Sequence, residues 1–249
     1  GGDTLVVEFT NSANSEKKTI NVVLDSTANP QQVNVTLQVK VLQSIAITGA
    51  STVEVGGKVQ FAATGTYDDQ STATITDSVT WSVESPSPTG AAAFDATTKG
   101  QLNGLKEGGA GVKATSGAVS SSVTQVSITA FNGTVAVAAN PTSIVANGTS
   151  TSAISATVKT SGGVNVVDGV SVAFAVTGGT GTVAPSSALT VSGVATTTYT
   201  SSTTAGSGTV TATVGAKSGN ATVTLTAGAA AKINLTANPT TISSSTPTE

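Results

Sequence analysis

Apolar and polar residues alternate with a period of two along most of this chain. That pattern restricts it to extended strands with one buried face. In QVNVTLQVKV, residues 32–41, Val33, Val35, Leu37, Val39 and Val41 share a face. KVQFAATGTY places Val59, Phe61, Ala63 and Tyr67 on alternate positions, SVTWSV groups Val79, Trp81 and Val83, and GVSVAFAV groups Val170, Val172, Phe174 and Val176. No long stretch carries the helical period. Val, Ile and Thr suit a pleated, half-buried surface, and 27 glycines and 7 prolines punctuate the runs. The expected fold class is all-β, as tandem immunoglobulin-like sandwiches placed head to tail. In the run from Val119 to Ala130 the phase slips. Val119 and Val123 fall on odd numbers, Val126, Ile128 and Ala130 on even ones. This predicts a β-bulge near Thr124–Gln125.

A repeated phrase sets the domain length. ANPTSI stands at 139–144 and ANPTTI at 237–242, 98 positions apart. A catalytic motif normally occurs once, whereas a phrase returning at the length of a small β-domain marks where each domain begins. Residues 1–43 then read as the closing strands of a partial sandwich, with runs TLVVEFT, KTINVVLDS and QVNVTLQVKV. Residues 44–130 and 131–228 read as two complete units, and 229–249 as the first strand or strands of a further repeat. Pro141 and Pro239, in the two phrases, cannot donate to a ladder. The first strand of each such unit must therefore lie at an edge or change sheets there. The chain opens Gly1-Gly2 without Met, which reads as a processed chain or a piece of a longer one.

Composition narrows the chemistry. Charged residues are 9% of the 249, the net charge is −3, and all ten basic residues are Lys. Without Arg there is no bidentate fork for phosphate or guanine, and no basic stripe exists, so nucleic acid is not expected as a partner. No apolar run reaches the ~18 residues of a membrane helix. With no His and no Cys, a Ser-His-Asp triad, a thiolate nucleophile and a zinc site are all excluded. Asp68 and Asp69 are adjacent and sit at a turn beside Gln70-Ser71, where such side chains cap backbone. No enzyme activity and no cofactor are expected.

Residues 44–130 resemble the bacterial Ig-like group 2 family, through VEVGGKVQFAATGTYDDQS, then VTWSV, then KGQLNGLKEGGAGVKAT. The connection VESPSPTGAAAF is longer than that family's usual one. Residues 133–227 resemble the bacterial Ig-like group 1 family, the repeats of invasin- and intimin-type surface proteins. The carriers are ANPTSIVANGTSTSAISATV, GVSVAFAVTGGTGTV and VATTTYTSSTTAGSGTVTATVG. Of the family's aspartate- or asparagine-rich turn near KTSGGVNVVDGV, Asn165 and Asp168 remain. The resemblance implies extracellular or cell-surface, non-enzymatic bacterial domains used as stalks, adhesin shafts or phage modules. The partners it implies are neighbouring domains or neighbouring copies, or a host or cell-surface receptor or glycan. The function expected is a structural stalk or spacer. The alternatives are a fibre built by strand addition between partial terminal domains, and a carbohydrate- or receptor-binding module.

A few residues remain as candidate sites. Calcium needs six to eight oxygens at one point, and Asp68, Asp69 and Asp77 are the acids that could gather if their loops meet. Phe61, Tyr67, Trp81 and Phe174 sit in phase with core aliphatics and should pack inward. Phe94, Phe131 and Tyr199 are undecided; Phe131, in the linker TAFNGT, could wedge two domains together. Sequons occur at Asn34, Asn132, Asn147, Asn220 and Asn234. Lys40 and Lys58 are the strand lysines open to a Lys–Asn isopeptide bond.

Overall fold

The computed structural model describes residues 40–229 and 238, and the backbone of two strands nearer the N-terminus. Those two, β1 (Thr4–Thr10) and β2 (Lys17–Val23), pair antiparallel with Thr4 opposite Val23. They coincide with the first two expected runs. The third, 32–41, lies almost wholly outside the described residues, as do Pro239, Asn34, Asn234 and nearly all of 229–249. Among the described residues every regular element is a strand.

The segment 42–129 begins with β3 (Leu42–Thr48), β4 (Thr52–Glu54), β5 (Lys58–Gln60), β6 (Ala62–Tyr67) and β7 (Thr72–Thr74). It continues with β8 (Thr80–Ser87), β9 (Ala92–Phe94), β10 (Gln101–Gly104), β11 (Gly108–Ser116), β12 (Val119–Ser120) and β13 (Thr124–Thr129). They form three sheets: β3-β6-β7, β5-β10-β9, and β12-β11-β13-β4 with β8 on β11. The run KVQFAATGTY, read as continuous, is broken at Phe61. β5 joins β10 while β6 joins β3. Phe61 is fully buried at the corner, and its N–H bonds the Gly100 carbonyl at 2.8 Å. An aromatic at a corner fills both layers at once, which alternation alone does not show.

The expected phase slip is present, a little earlier than placed. Thr115 faces Ser120 and Val112 faces Thr124, so one strand carries an extra residue between these pairs. The irregular stretch is Ser121–Val123 rather than Thr124–Gln125. Ser121 fills the gap in the ladder: its N–H donates to the Ala114 carbonyl at 2.9 Å, and its hydroxyl accepts the Ala114 N–H at 3.0 Å.

The segment 134–226 contains β14 (Thr134–Asn140), β15 (Ser143–Val145), β16 (Thr151–Lys159), β17 (Ser171–Gly179), β18 (Thr182–Ala184), β19 (Ser187–Leu189), β20 (Val194–Thr200), β21 (Gly206–Val214) and β22 (Lys217–Thr226). Two sheets face each other, in the orders β14-β16-β20-β18 and β15-β22-β21-β17-β19. β14 pairs antiparallel with β16 at the edge of one sheet. Past Pro141, β15 pairs parallel with β22 in the other. The first strand thus does both things its proline allows: it runs along an edge and it changes sheets.

Inward residues build the layer between the sheets. Ile154, Val158, Val172, Tyr199, Val210, Ala212 and Val223 are fully buried, and Phe174 is 3% exposed. On the outer face hydroxyls pair across strands, Thr177 with Thr211 at 2.7 Å and Thr209 with Thr222 at 3.3 Å. Only Lys159, Asp168 and Lys217 carry charge between residues 131 and 228.

Candidate functional site

The two groups of sheets share no strand pairing, yet they meet in a joint made of one tight turn and one loop. On the earlier side, β4 turns into β5 through Val55-Gly56-Gly57. Gly57 N–H donates to the Glu54 carbonyl at 2.9 Å, and Gly56 N–H donates to the Gly104 carbonyl at 2.8 Å. Gly56 has φ +85°, a left-handed conformation that favours glycine. A Cβ there would also collide with the Val166 side chain.

On the later side, residues 160–169 leave β16 and fold back. Thr160 N–H reaches the Val164 carbonyl at 2.7 Å and Val166 N–H the Val158 carbonyl at 3.1 Å. Asn165 and Asp168, the remnants of the polar turn, fasten this loop to its neighbour. The Asn165 amide donates to the Ser192 carbonyl at 2.9 Å, and Ser192 N–H donates to Asp168 Oδ1 at 2.6 Å.

The loop then grips the turn. The Ser161 N–H and hydroxyl both donate to Glu54 Oε1, at 3.0 and 2.9 Å. Val167 N–H donates to the Gly56 carbonyl at 3.0 Å. Val166 is 3% exposed, and Phe131 in the linker is 4% exposed. Both belong to one connected apolar cluster that holds Val53, Val55 and Leu102 of the earlier segment together with Ile154 and Val210 of the later one. Sequence reasoning expects separate cores; here the apolar contacts run on through the joint. Charged, bidentate and backbone bonds around a buried apolar centre resist both sliding and opening.

Phe131, the linker aromatic that the sequence leaves undecided, is buried beside Gly133 and Gly215. Glu54, Gly56, Ser161 and Val166 are not among the residues that sequence reasoning picks out. The one signal for them was the apolar pair Val166-Val167 inside a glycine-rich turn, where a solvated loop has no use for it.

The remaining candidates are placed as follows. Trp81 is only half-buried; its ring lies 6.2 Å from Phe61 and 5.4 Å from Phe94, and its indole N–H donates to the Thr76 carbonyl at 3.0 Å. With Phe94, Thr80, Asp95 and Lys99 it borders a shallow cleft of about 200 Å³. Tyr67 is half-buried and Tyr199 fully buried. Asp69 pairs with Lys40 at 2.8 Å, and Asp68 Oδ1 accepts the Val41 N–H at 3.1 Å. Among the described residues, Asp68, Asp69 and Asp77 do not form a group of three that could hold a metal ion. Lys58 stands opposite Asn103 in the β5–β10 ladder, but its side chain is exposed, whereas an amide-forming lysine must lose its solvation. Asn132, Asn147 and Asn220 are exposed, and the Asn147 side-chain carbonyl is occupied by the Thr149 and Ser150 N–H groups. No helix of the described residues is long and apolar enough to cross a membrane.

Two carboxyls in 42–129 are strongly stabilised as anions. The Lys40 ammonium, then the Ser71 hydroxyl and N–H, lower Asp69 to about 2. The Thr97 hydroxyl and the Thr98 and Thr97 N–H groups hold Asp95 well below the usual carboxylate range. A depressed folded value stabilises above the unfolded value and is lost as pH falls through the folded one. Between about pH 4 and 2, the urea midpoint of 42–129 should fall more than that of 131–228, whose single acid is Asp168. Urea titrations read by Trp81 fluorescence and by circular dichroism check this, and an equal fall in both would contradict it.

Residues 131–229 match the family model of Invasin, domain 3. No curated protein sequence matches the chain. Among solved structures, the adhesin InvE of Yersinia pseudotuberculosis is 12% identical with TM-score 0.43, over 73% of this chain and 58% of its own. The chain thus spans less than two thirds of InvE. The D00-D0 domain of intimin is 22% identical with TM-score 0.34, over 73% of this chain and 100% of its own. Invasin, described as a bacterial integrin-binding protein, is 21% identical with TM-score 0.39, over 75% of this chain and 40% of its own. Residues 131–229 thus carry the likeness to invasin domain 3, and they stand within an all-β array of sandwiches.

Proposed function

We propose that this chain is a non-enzymatic, extracellular spacer of a bacterial surface or secreted adhesin-like protein. Its units would be 1–43, 44–130, 131–228 and 229–249, and it would hold whatever lies at either end at a set distance. The observation that carries this reading is the joint. Glu54 clamps the Ser161 N–H and hydroxyl, Gly56 accepts Val167, and Val166 and Phe131 are buried between. A spacer needs contacts that fix direction from one unit to the next, and these have no other chemistry to perform. The family match over 131–229 supports the surface location. The fibre reading rests on 1–43 and 229–249, most of which lies outside the described residues.

Small-angle X-ray scattering of the whole chain tests the proposal. Each sandwich should add roughly 25–30 Å along one direction, so the particle should be elongated. Val166→Asp would place a carboxylate in the apolar centre of the joint, and it should broaden the spread of inter-unit distances without unfolding either unit. A compact particle with the units side by side would exclude the spacer.

A further inference from the structure

The joint transmits direction; a different feature governs what happens when the chain is pulled. In both segments the chain's second strand piece pairs with the last strand, and in parallel. β4 lies along β13 with Thr52, Val53 and Glu54 opposite Ser127, Ile128 and Thr129. β15 lies along β22 with Ser143, Ile144 and Val145 opposite Thr224, Leu225 and Thr226.

The two ladders are alike in detail. Ser127 N–H donates to the Ser51 carbonyl and Val55 N–H to the Thr129 carbonyl, both at 2.9 Å. Thr224 N–H donates to the Thr142 carbonyl and Ala146 N–H to the Thr226 carbonyl, both at 2.8 Å. In each, the threonine ending the last strand also reaches back to a carbonyl of the early piece, Thr129 to Val53 at 3.5 Å and Thr226 to Ile144 at 3.3 Å. Beneath them Ile128 and Leu225 are buried at 1% and 2% exposure.

Tension along the chain enters each segment at its first strand and leaves at its last. Parallel neighbours pulled from opposite ends slide past one another, so all bonds between them are strained together. Antiparallel neighbours joined by a turn would instead open one bond at a time. We propose that these two short parallel ladders are shear clamps, giving the chain a second function: it bears tension along its axis as well as setting a distance. This rests on the spacer reading for its biological use, but not for its measurement.

The test is single-molecule stretching of the whole chain. The sequence has no cysteine, so one added at each end gives unique attachment points. Two main unfolding events are expected, each releasing on the order of 300 Å of chain. Ala146→Pro removes the donor to Thr226. A three-pair parallel ladder carries roughly four bonds, so the unfolding force of that event should fall by about a quarter or more. The other event should stay unchanged as an internal reference. Val55→Pro should do the reverse. If Ala146→Pro does not fold, Thr226→Val removes only the side-chain bond to Ile144 and should lower the same force by a smaller amount.

Val172→Ala, in β17 and away from both ladders, is the comparison. It should lower the thermal midpoint while leaving the unfolding force close to the parent. If force instead falls in proportion to lost thermal stability in every variant, the clamp is wrong. A rod-like chain in scattering with low, variant-independent forces overturns the clamp and leaves the spacer. A folded-back chain with a clamp-dependent force does the opposite.

Discussion

Phe174→Ala is expected to remove about 3–5 kcal/mol from the 131–228 unit and to leave the unfolding of 42–129 nearly where it was. Phe174 stands on β17 at 3% exposure, opposite Ala212 in the β17–β21 ladder. It belongs to a continuous core of buried apolar side chains, so the cavity left behind adds to the lost transfer energy. A unit of this size holds only ~5–10 kcal/mol, so the variant should be marginal at room temperature. Phe61→Ala should do the same to 42–129, because Phe61 is fully buried at the corner between two sheets and Gly49 lies against its ring. Scanning calorimetry decides the matter. Two transitions, of which each variant moves one, support units that fold separately despite the shared joint. A single transition that both variants shift would mean the apolar continuity through Phe131 and Val166 makes one cooperative body.

The second large effect lies at Tyr199. It is the largest fully buried side chain among the described residues, its hydroxyl donates to the Thr180 carbonyl, and Gly181 and Gly208 lie close over that hydroxyl. Tyr199→Ala should cost about 4 kcal/mol, whereas Tyr199→Phe, which loses only the hydrogen bond, should cost about 1 kcal/mol. Burial pushes the phenol above its ordinary value. A raised folded value means the neutral form is favoured by folding, so stability is complete below about pH 10 and is lost as pH rises past it. Equilibrium unfolding in urea between about pH 8 and 11 should show this loss in the parent and not in Tyr199→Phe. The same alkaline loss in both would place its origin elsewhere.

How far the sequence is readable depends on the range of the interaction. Alternation is local, so the faces of β16, β17 and β21 follow from the residues themselves, as does the sheet change at Pro141. The phase slip near Ser121 is legible for the same reason, although Ser121's own bonds place it a few residues early. Trp81 shows the limit. Its phase with Val79 and Val83 points it inward, and Ala114 of β11 stands opposite it, yet the indole remains partly open at the cleft with Phe94. Tyr199 shows the converse: a polar aromatic among threonines looks ambiguous, and burial is decided by two distant glycines that leave room for its hydroxyl. The joint was the least legible part. Glu54 and Ser161 are 107 positions apart, and no local rule ties a carboxylate after one strand to a serine in a later loop.

The threonine-paired face of β17, β21 and β22 has a consequence for where such a segment can operate. With three charged side chains in 98 residues, there is little for dissolved ions to screen and little for protons to neutralise. Hydroxyl pairs hold water equally well in brine, in fresh water or in mild acid, so the dimensions of the 131–228 unit should be indifferent to the medium around it.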